Sequence, residues 1–252
     1  MSGHSQFKNI MYRKGAQDAK RAKVFAKIGR EILVAAKRGS PDPQANPRLR
    51  AALAAARAEN MPNDNVSRIL KKAAGEDNTD SYEDVRFEGF GVGGVSVIVE
   101  ALTDNRNRTV PEIRATLSKY GGNLGDVGSV SFMFDHLGIV AVSKDGLPFD
   151  DLFEKAAEAG AENVEESDDE FTITSTVELF GAVRDFITEN VKEPTRAEII
   201  WHPKNYVDCD FDTAKTLIKM VDILEDNDDV QKVFTNFSCS DEVQRLIDEE
   251  FA

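Results

Sequence analysis

The chain has 252 residues, 41% of them apolar, and its 45 acidic and 31 basic side chains give a net charge of −14. That length is enough for two or three domains, while the net charge taken alone argues against a polyanionic partner. No segment is long and apolar enough to cross a membrane, and the N-terminus lacks the apolar run of a secretory signal. Cys209 and Cys239 have no Cys or His cluster around them, so neither a zinc site nor a disulfide framework is expected. We therefore expect a cytoplasmic protein with reduced thiols.

The distribution of charge along the chain reverses the argument from the net charge. Residues 1–75 contain 16 Lys and Arg against 5 Asp and Glu, a net charge of +11. The remaining residues hold 15 basic and 40 acidic side chains, a net charge of −25. Such polarity predicts a module that faces nucleic acid, joined to an acidic body. The alternative is that the two parts neutralise each other through contacts within the molecule.

Three helices are predicted in the first third of the chain. In residues 17–38, apolar side chains recur at three- and four-residue steps, and most cations lie within about 100° on the opposite side of the helix. Arg21 and Val34 break this pattern. Asn46 followed by Pro47 has the form of an N-cap with proline at the first helical position, which predicts a second helix over 48–59. A third helix follows over 65–74, and 76–81 form a linker.

After the linker the apolar residues follow a period of two. Strands are predicted over 85–90 and 95–102, joined by a tight glycine turn at 91–94. Thr109 and Glu112 have the spacing of a capping box, which predicts a helix from that point to about residue 120. A short strand is predicted over 130–134. A helix over 212–225 and a strand over 230–236 would return to complete this layer.

Between these two parts, residues 138–203 show the order β-α-β-β-α-β, which is that of a ferredoxin-like unit. The predicted fold class is therefore α+β, with an N-terminal helical bundle and two ferredoxin-like α/β domains. The third domain is inserted in the second. The predicted domains are 1–78, 79–135 together with 207–252, and the insertion 136–206.

Three groups of residues are candidates for binding nucleic acid through its phosphates. A basic arm precedes the first helix, one face of that helix is basic, and two arginines precede the helix predicted from residue 109. Each group also has a plainer explanation: a disordered terminus, a solvated helix face, or a polar turn. The charge continues through Arg48, Arg50, Arg57, Arg68, Lys71 and Lys72. The candidate residues are His4, Lys8, Arg13 and Lys14 of the arm, Lys20, Arg21, Lys23, Lys27, Arg30, Lys37 and Arg38 of the helix, and Arg106 and Arg108.

The sequence offers little for catalysis. The glycine-rich stretch at 89–94 leads into a strand and lacks the Gly-Lys-Ser/Thr of a phosphate loop. The three histidines have no metal partner at helical spacing. We therefore expect no enzyme, no cofactor and no metal. A metal-dependent nuclease that uses Glu100, Asp104 and Glu112 is the enzymatic alternative.

Eight motifs resemble those of the YebC/PmpR family, in family order over essentially the whole chain. Among them are Gly-His-Ser at 3–5, Asn-Met-Pro at 60–62 and Leu-Thr-Asp-Asn-Arg-Asn-Arg-Thr at 102–109. The others lie at 16–21, 42–50, 88–91, 121–125 and 228–231. One departure is Gln6-Phe7, where the family usually has Lys-Trp, so the arm loses a cation and carries a smaller aromatic ring.

The resemblance implies a three-domain regulator with no accepted catalytic centre. Family members are commonly described as probable transcriptional regulators that bind DNA, and others act in translation on the ribosome. Charge alone supports binding of a polyanion, whereas the role of regulator comes from the resemblance. We expect a monomeric regulator that binds nucleic acid and acts on RNA or the ribosome. Sequence-specific binding of DNA is the alternative.

Overall fold

The computed structural model of the protein describes residues 17–75 and 81–251, with side chains from Arg21 onward. The chain divides into two compact units. One consists of Phe134–Lys204, and the other contains the described residues of Asn9–Met133 and Asn205–Ala252. Each unit has its own core.

Three helices begin the larger unit: α1 Gln17–Arg38, α2 Pro47–Ala58 and α3 Asn63–Ala74. They share a core that contains Ile32, Leu49 and Met61, together with the small residues Ala52 and Ala56. Alanine has little volume beyond its backbone, so α2 can pack close to its neighbours. The amphipathic patterns predicted for this region therefore correspond to real helices.

Asn46 joins α2 to the end of α1. Its Oδ1 accepts a hydrogen bond from the N–H of Leu49 at 3.0 Å, so it is the N-cap of α2, with Pro47 next to it. Its Nδ2 donates to the carbonyl oxygens of Ala35 at 2.8 Å and Ser40 at 2.7 Å. The N-cap predicted from Asn46 and Pro47 is confirmed, and the same buried side chain also holds the turn between the two helices.

α1 has a second buried face. Val34 is 2% exposed, although it is not among the core residues that α1 shares with α2 and α3. Arg30, Val34 and Arg38 are spaced four apart and so lie on one side of the helix. The guanidinium groups of Arg30 and Arg38 donate to the carbonyl oxygens of Leu102 and Tyr82. Val34 breaks the amphipathic pattern because its face is turned to the α/β part of the same unit.

The remaining elements follow in chain order. They are β1 Glu83–Phe90, β2 Ser96–Thr103, α4 Arg106–Lys119, β3 Asn123–Leu124, β4 Phe134–Ser143, α5 Phe149–Glu158, β5 Asn163–Glu166, β6 Glu170–Thr176, α6 Val177–Asn190, β7 Arg196–Pro203, β8 Val207–Asp208, α7 Phe211–Asp226, β9 Val230–Thr235, β10 Phe237–Ser238 and α8 Asp241–Glu250. Short 3₁₀ turns lie at Pro43–Ala45, Val92–Gly94 and Ser131–Met133.

The α/β part of the larger unit is built on a four-stranded sheet with the order β3-β1-β2-β9, in which all neighbours are antiparallel. Alternate residues of β1 and β2, such as Phe87 and Val99, share a core with Leu117 of α4 and Leu217 of α7. The alternation is that of a sheet with one face against helices. β8 and β10 form a separate parallel pair that leads into α8.

The unit Phe134–Lys204 has the element order β4-α5-β5-β6-α6-β7 and the strand order β5-β6-β4-β7, again antiparallel throughout. This is the ferredoxin-like arrangement. α5 and α6 pack on the sheet through a core that includes Leu152, Ile173 and Val183. Phe134 and Pro203 are register partners, so the chain enters and leaves the unit on paired strands.

The fold class predicted from the sequence is confirmed: a helical region precedes α/β parts with antiparallel sheets, and eight α-helices lie within the described residues. The domain boundaries stay a prediction. No helix in 17–75 or 81–251 combines the length and the apolar character needed to span a membrane.

Two local predictions are wrong. Ser131–Met133 is a 3₁₀ turn and not part of a strand over 130–134. α4 begins before the capping box predicted at 109–112, and Asn105 is its N-cap, with Oδ1 accepting from the N–H of Arg108 at 3.2 Å. Asn is at least as good an N-cap as Thr. The Thr109 hydroxyl is instead buried inside the helix, 2.7 Å from Asp229 Oδ2.

Candidate nucleic-acid interface

The predicted interface divides into residues that are described and residues that are not. His4, Lys8, Arg13 and Lys14 lie outside the described residues, as does the side chain of Lys20. The other predicted cations of α1 and the two arginines of α4 can be placed. Their roles in binding stay predictions, but their surroundings differ greatly.

The cations in the middle of α1 contact the C-terminal end of α7. Lys23 Nζ is 2.5 Å from Asp226 Oδ1, and Lys27 Nζ donates to the carbonyl oxygen of Glu225 at 2.5 Å. The last carbonyls of a helix have no partner within the helix, and its C-terminus carries partial negative charge, so cations are favoured there. Burial lowers the pKa of the Lys27 ammonium, and the carboxylates of Glu225 and Asp228 oppose this effect.

Arg30 continues this contact one helical turn further along. Its Nη1 donates to the carbonyl oxygen of Asp228 at 2.5 Å and to that of Leu102 at 3.2 Å, and it lies 3.3 Å from Asp229 Oδ1. Its guanidinium also lies over the ring of Tyr82 at 5.5 Å from the centroid. Binding of phosphate by these three α1 cations would first require these bonds to break.

A second contact joins the helical region to the start of β1 through Arg38, at the end of α1, and Arg48 of α2. Arg48 pairs with Glu31 through two hydrogen bonds of 2.6 and 2.9 Å and with Asp84 through two of 2.8 and 3.0 Å. Arg38 bonds to Asp84 at 2.5 Å and to the carbonyl of Tyr82. The hydrogen bonds to Glu31 raise the pKa of Arg48. Burial would raise the pKa of Asp84, but the hydrogen bonds from Arg48 and Arg38 outweigh it, so this pKa is lowered.

Asp229 brings together two of the motifs that resemble the YebC/PmpR family, 102–109 and 228–231. Its side chain is 4% exposed, and its Oδ2 accepts from Arg108 and Thr109 at 2.7 Å each and from Thr103 at 3.0 Å. Burial opposes ionisation, but these hydrogen bonds prevail and lower the pKa of Asp229. The guanidinium of Arg108, predicted to hold phosphate, is therefore already bonded to this carboxylate and to Asp104 at 3.0 Å.

The remaining predicted cations with described side chains are Arg21, Lys37 and Arg106. Arg21 is exposed, with its guanidinium 5.4 Å from the centroid of the Phe25 ring. Lys37 is partly buried. Arg106 is exposed at the first position of α4, and no described residue forms a hydrogen bond or ion pair with it. Of the two arginines predicted in this loop, Arg106 is the one turned to solvent without a partner in the described chain.

The outer face of α3 carries cations that the predicted site did not include. Arg68, Lys71 and Lys72 are exposed and lie within about 100° of one another around the helix. Val66 and Ile69 pack against the core from the opposite side. The spacing of three and four residues between these cations, opposite an apolar stripe, is the signal by which the sequence could have identified them.

The side chains considered for a metal-dependent nuclease, Glu100, Asp104 and Glu112, all lie within the described chain. No set of three His, Cys, Asp or Glu side chains within 17–75 and 81–251 is placed to hold a metal ion. Glu112 accepts a hydrogen bond from Asn227 at 2.7 Å. Cys209 and Cys239 are buried free thiols, and burial raises the pKa of Cys209 to about 11. A thiol with so high a pKa is a poor nucleophile at neutral pH.

Comparison with known proteins covers nearly the whole chain. A model of the TACO1/YebC protein N-terminal domain matches residues 5–76, and a model of the TACO1/YebC second and third domain, designated a transcriptional-regulator model, matches residues 82–237. The crystal structure of the conserved hypothetical protein Aq1575 from Aquifex aeolicus is 41% identical in sequence, with a TM-score of 0.79 over 92% of this chain and 96% of that chain.

The fold consists of a cationic helical region followed by antiparallel α/β parts. Together with these matches, it defines a multidomain protein of a regulatory class. The chain belongs to the TACO1/YebC family. The resemblance drawn from the sequence motifs is thus confirmed. The model for its second and third domains is designated a transcriptional-regulator model, so the family is a regulatory one.

Proposed function

We propose that this protein is a non-enzymatic regulator of gene expression that binds nucleic acid through its helical region and acts on RNA or the ribosome. The observation that carries the proposal is the exposed cationic face of α3, formed by Arg68, Lys71 and Lys72. Repeated cations with few carboxylates among them are suited to phosphates, and such contacts dominate affinity for nucleic acid. The basic arm and Arg106 are further proposed contacts.

The position of the α3 cations supports contact with the backbone of a nucleic acid rather than with its bases. Recognition helices that read the major groove use side chains near their N-terminus. In α3 the first turn carries Asn63 and Asp64, whereas Arg68 lies at the middle of the helix and Lys71 and Lys72 lie in its last turn. A contact of this kind discriminates little between sequences, which suits folded RNA better than an operator site in DNA.

The family's designation as transcriptional regulators keeps a second candidate function, sequence-specific binding of DNA. One structural observation favours it. α2 and α3 are joined by the four residues 59–62, with Asn60 at φ 54°, so a tight turn connects two successive helices. Helix-turn-helix proteins use such a connection to place their second helix in the major groove.

Sedimentation of the protein with ribosomes on density gradients, combined with mapping of RNA crosslinks, tests the first function. We expect co-sedimentation that weakens in the double variant Arg68→Gln, Lys71→Gln. In binding to RNA, the slope of log affinity against log salt should fall by about 1 for each cation that no longer meets a phosphate. The matched control is Arg114→Gln with Arg245→Gln, which removes two exposed arginines elsewhere.

An equal loss of affinity in both double variants would show that only net charge matters, and the α3 surface would be refuted as the site. Failure to co-sediment with ribosomes, together with a discrete footprint on promoter DNA, would favour the second candidate. In that case α3 variants should change the footprint as well as its salt dependence.

A further inference from the structure

The outer surface of α5, in the unit Phe134–Lys204, carries two parallel rows of side chains. Phe149 and Phe153 are 37% and 50% exposed, and their ring centroids are 5.9 Å apart. Residues four apart lie on one side of a helix. These two rings and Ala157 therefore form a row along α5, here called the aromatic row.

A second row lies beside it. Asp150, Glu154 and Glu158 are also spaced four apart, each one position beyond a member of the aromatic row and so about 100° further round the helix. All three are exposed, and no described residue bonds to their carboxylates. They form the carboxylate row. An outer helix face with carboxylates alone would be an ordinary solvated surface, but this one also exposes two large aromatic rings.

The aromatic row is anchored to the core but extends beyond it. Leu152 and Ala156 of the same helix are fully buried against the sheet. The Phe149 ring lies 5.7 Å from that of buried Phe171, so it is supported from below. Phe153 has half of its side chain in solvent. Large aromatic side chains that are held in place and exposed together are typical of protein interaction sites.

We propose that this face of α5 is a docking surface for a cationic amphipathic helix of a protein partner. Charge complementarity selects that occupant. Residues 134–204 contain 17 acidic and 6 basic side chains, a net charge of −11, and the carboxylate row runs directly beside the exposed rings. A helix with an apolar row next to a row of Lys or Arg would match both rows at once.

The same charges argue against other occupants. Nucleic acid would meet the carboxylate row as a like charge. A second copy that used the same face would bring two carboxylate rows together. The proposal does not rest on the function proposed above, because it involves different residues and a partner of opposite charge.

The test uses the full chain and a fluorescein-labelled peptide of leucine and lysine, arranged so that a helix would carry an apolar row beside a cationic row. Anisotropy measures binding, and a peptide of the same composition in scrambled order is the control. We expect the helical peptide to bind more tightly than the scrambled one. Its affinity should fall about tenfold in the variant Phe149→Ala, Phe153→Ala.

The matched control variant is Ile223→Ala with Leu246→Ala, two side chains that are each 45% exposed outside the unit; it should retain the affinity of the unmodified chain. Phe153→Ser, at the more exposed position, tests the row if the double variant unfolds. Trp201, the one tryptophan of the chain, lies in the same unit and reports by fluorescence whether each variant is folded.

The variant Asp150→Asn, Glu154→Gln, Glu158→Gln tests the carboxylate row and should flatten the salt dependence of peptide binding.

Equal binding of the scrambled peptide, or unchanged affinity in a folded Phe153→Ser chain, would overturn the proposal. Sedimentation velocity provides a further check. Self-association of the full chain that disappears in the phenylalanine variants would assign the surface to a second copy and would also overturn it.

Discussion

Asp229 is a buried carboxylate shared by three segments of the chain. It accepts hydrogen bonds from Thr103 and Arg108 in the 102–109 motif and lies 3.3 Å from Arg30 of α1. Removing one partner of a buried charged group leaves the others uncompensated, which costs more than the loss of an exposed pair. The family motif at this point therefore has a structural role whether or not Arg108 also meets a ligand.

We expect Asp229→Ala to lower the free energy of unfolding by about 3 kcal/mol, as measured by urea denaturation. The neighbouring Asp228 provides the control. It is exposed and accepts from Arg30 through its backbone carbonyl, which an Ala substitution leaves in place. Asp228→Ala should change the free energy of unfolding by less than about 0.5 kcal/mol. Similar losses in the two variants would contradict the role assigned to the Asp229 side chain.

The lowered pKa of Asp229 also predicts how stability depends on pH. A carboxylate whose pKa is lower in the folded than in the unfolded state stabilises the fold above the unfolded value, about 4. That contribution is lost as the pH falls through the lower folded value. In denaturation series at decreasing pH, the loss of stability on acidification should accordingly be smaller for Asp229→Asn than for the unmodified chain. Identical pH profiles for Asp229→Asn and the unmodified chain would contradict the lowered pKa of Asp229.

At the scale of elements, α1 bears on both interpretations of the charge distribution, which are a surface that faces nucleic acid and neutralisation through contacts within the molecule. Lys23, Lys27 and Arg30 form part of the basic face, yet they bond to 225–229. The two oppositely charged parts do neutralise each other there, while Arg68 and Lys71 on α3 are exposed. The contact with 225–229 and any contact with phosphate compete for the same side chains.

We expect the double variant Asp84→Asn, Asp226→Asn to bind RNA several-fold more tightly at low salt, with a steeper salt dependence, because it frees Arg38 and Lys23 for phosphates. The fold should persist, since exposed ion pairs contribute little to stability. Asp168→Asn with Asp169→Asn is the control, because it changes the net charge equally at two exposed positions. An equal gain of affinity in both variants would show that Arg38 and Lys23 remain bonded within the chain and do not bind phosphate.

The sequence predicted elements well where local interactions determine them. Apolar periodicity and Asn46-Pro47 locate α1 and α2, and the glycines at 91–94 form a tight turn between β1 and β2, with positive φ at Gly93 and Gly94. The sequence placed the cap of α4 at Thr109, but the structure uses Asn105, and the hydroxyl of Thr109 instead bonds to Asp229, far along the chain. Similarly, the partners of Lys23 and Arg30 lie about 200 positions away, and no local pattern reports them.

At the scale of the whole molecule, charge is divided more sharply than the net value of −14 suggests. Residues 134–204 have a net charge of −11, which leaves −3 for the rest of the chain. Long-range repulsion from an acidic unit slows the approach of a polyanion, and salt screens it. The unit that carries the aromatic row should therefore weaken binding of nucleic acid even without touching it.

Excision of Phe134–Lys204 tests this effect. The register pair Phe134 and Pro203 holds the two chain ends of the unit side by side, so a short Gly-Ser linker between Met133 and Asn205 can close the gap. The remaining chain keeps its own sheet and core, and its circular dichroism should show a cooperative unfolding transition.

We expect the excision variant to bind RNA roughly tenfold more tightly than the full chain at low ionic strength. The two affinities should converge at high salt, where the Debye length is short. A folded excision variant with unchanged affinity at low salt would show that the acidic unit has no electrostatic influence on the cationic helical region.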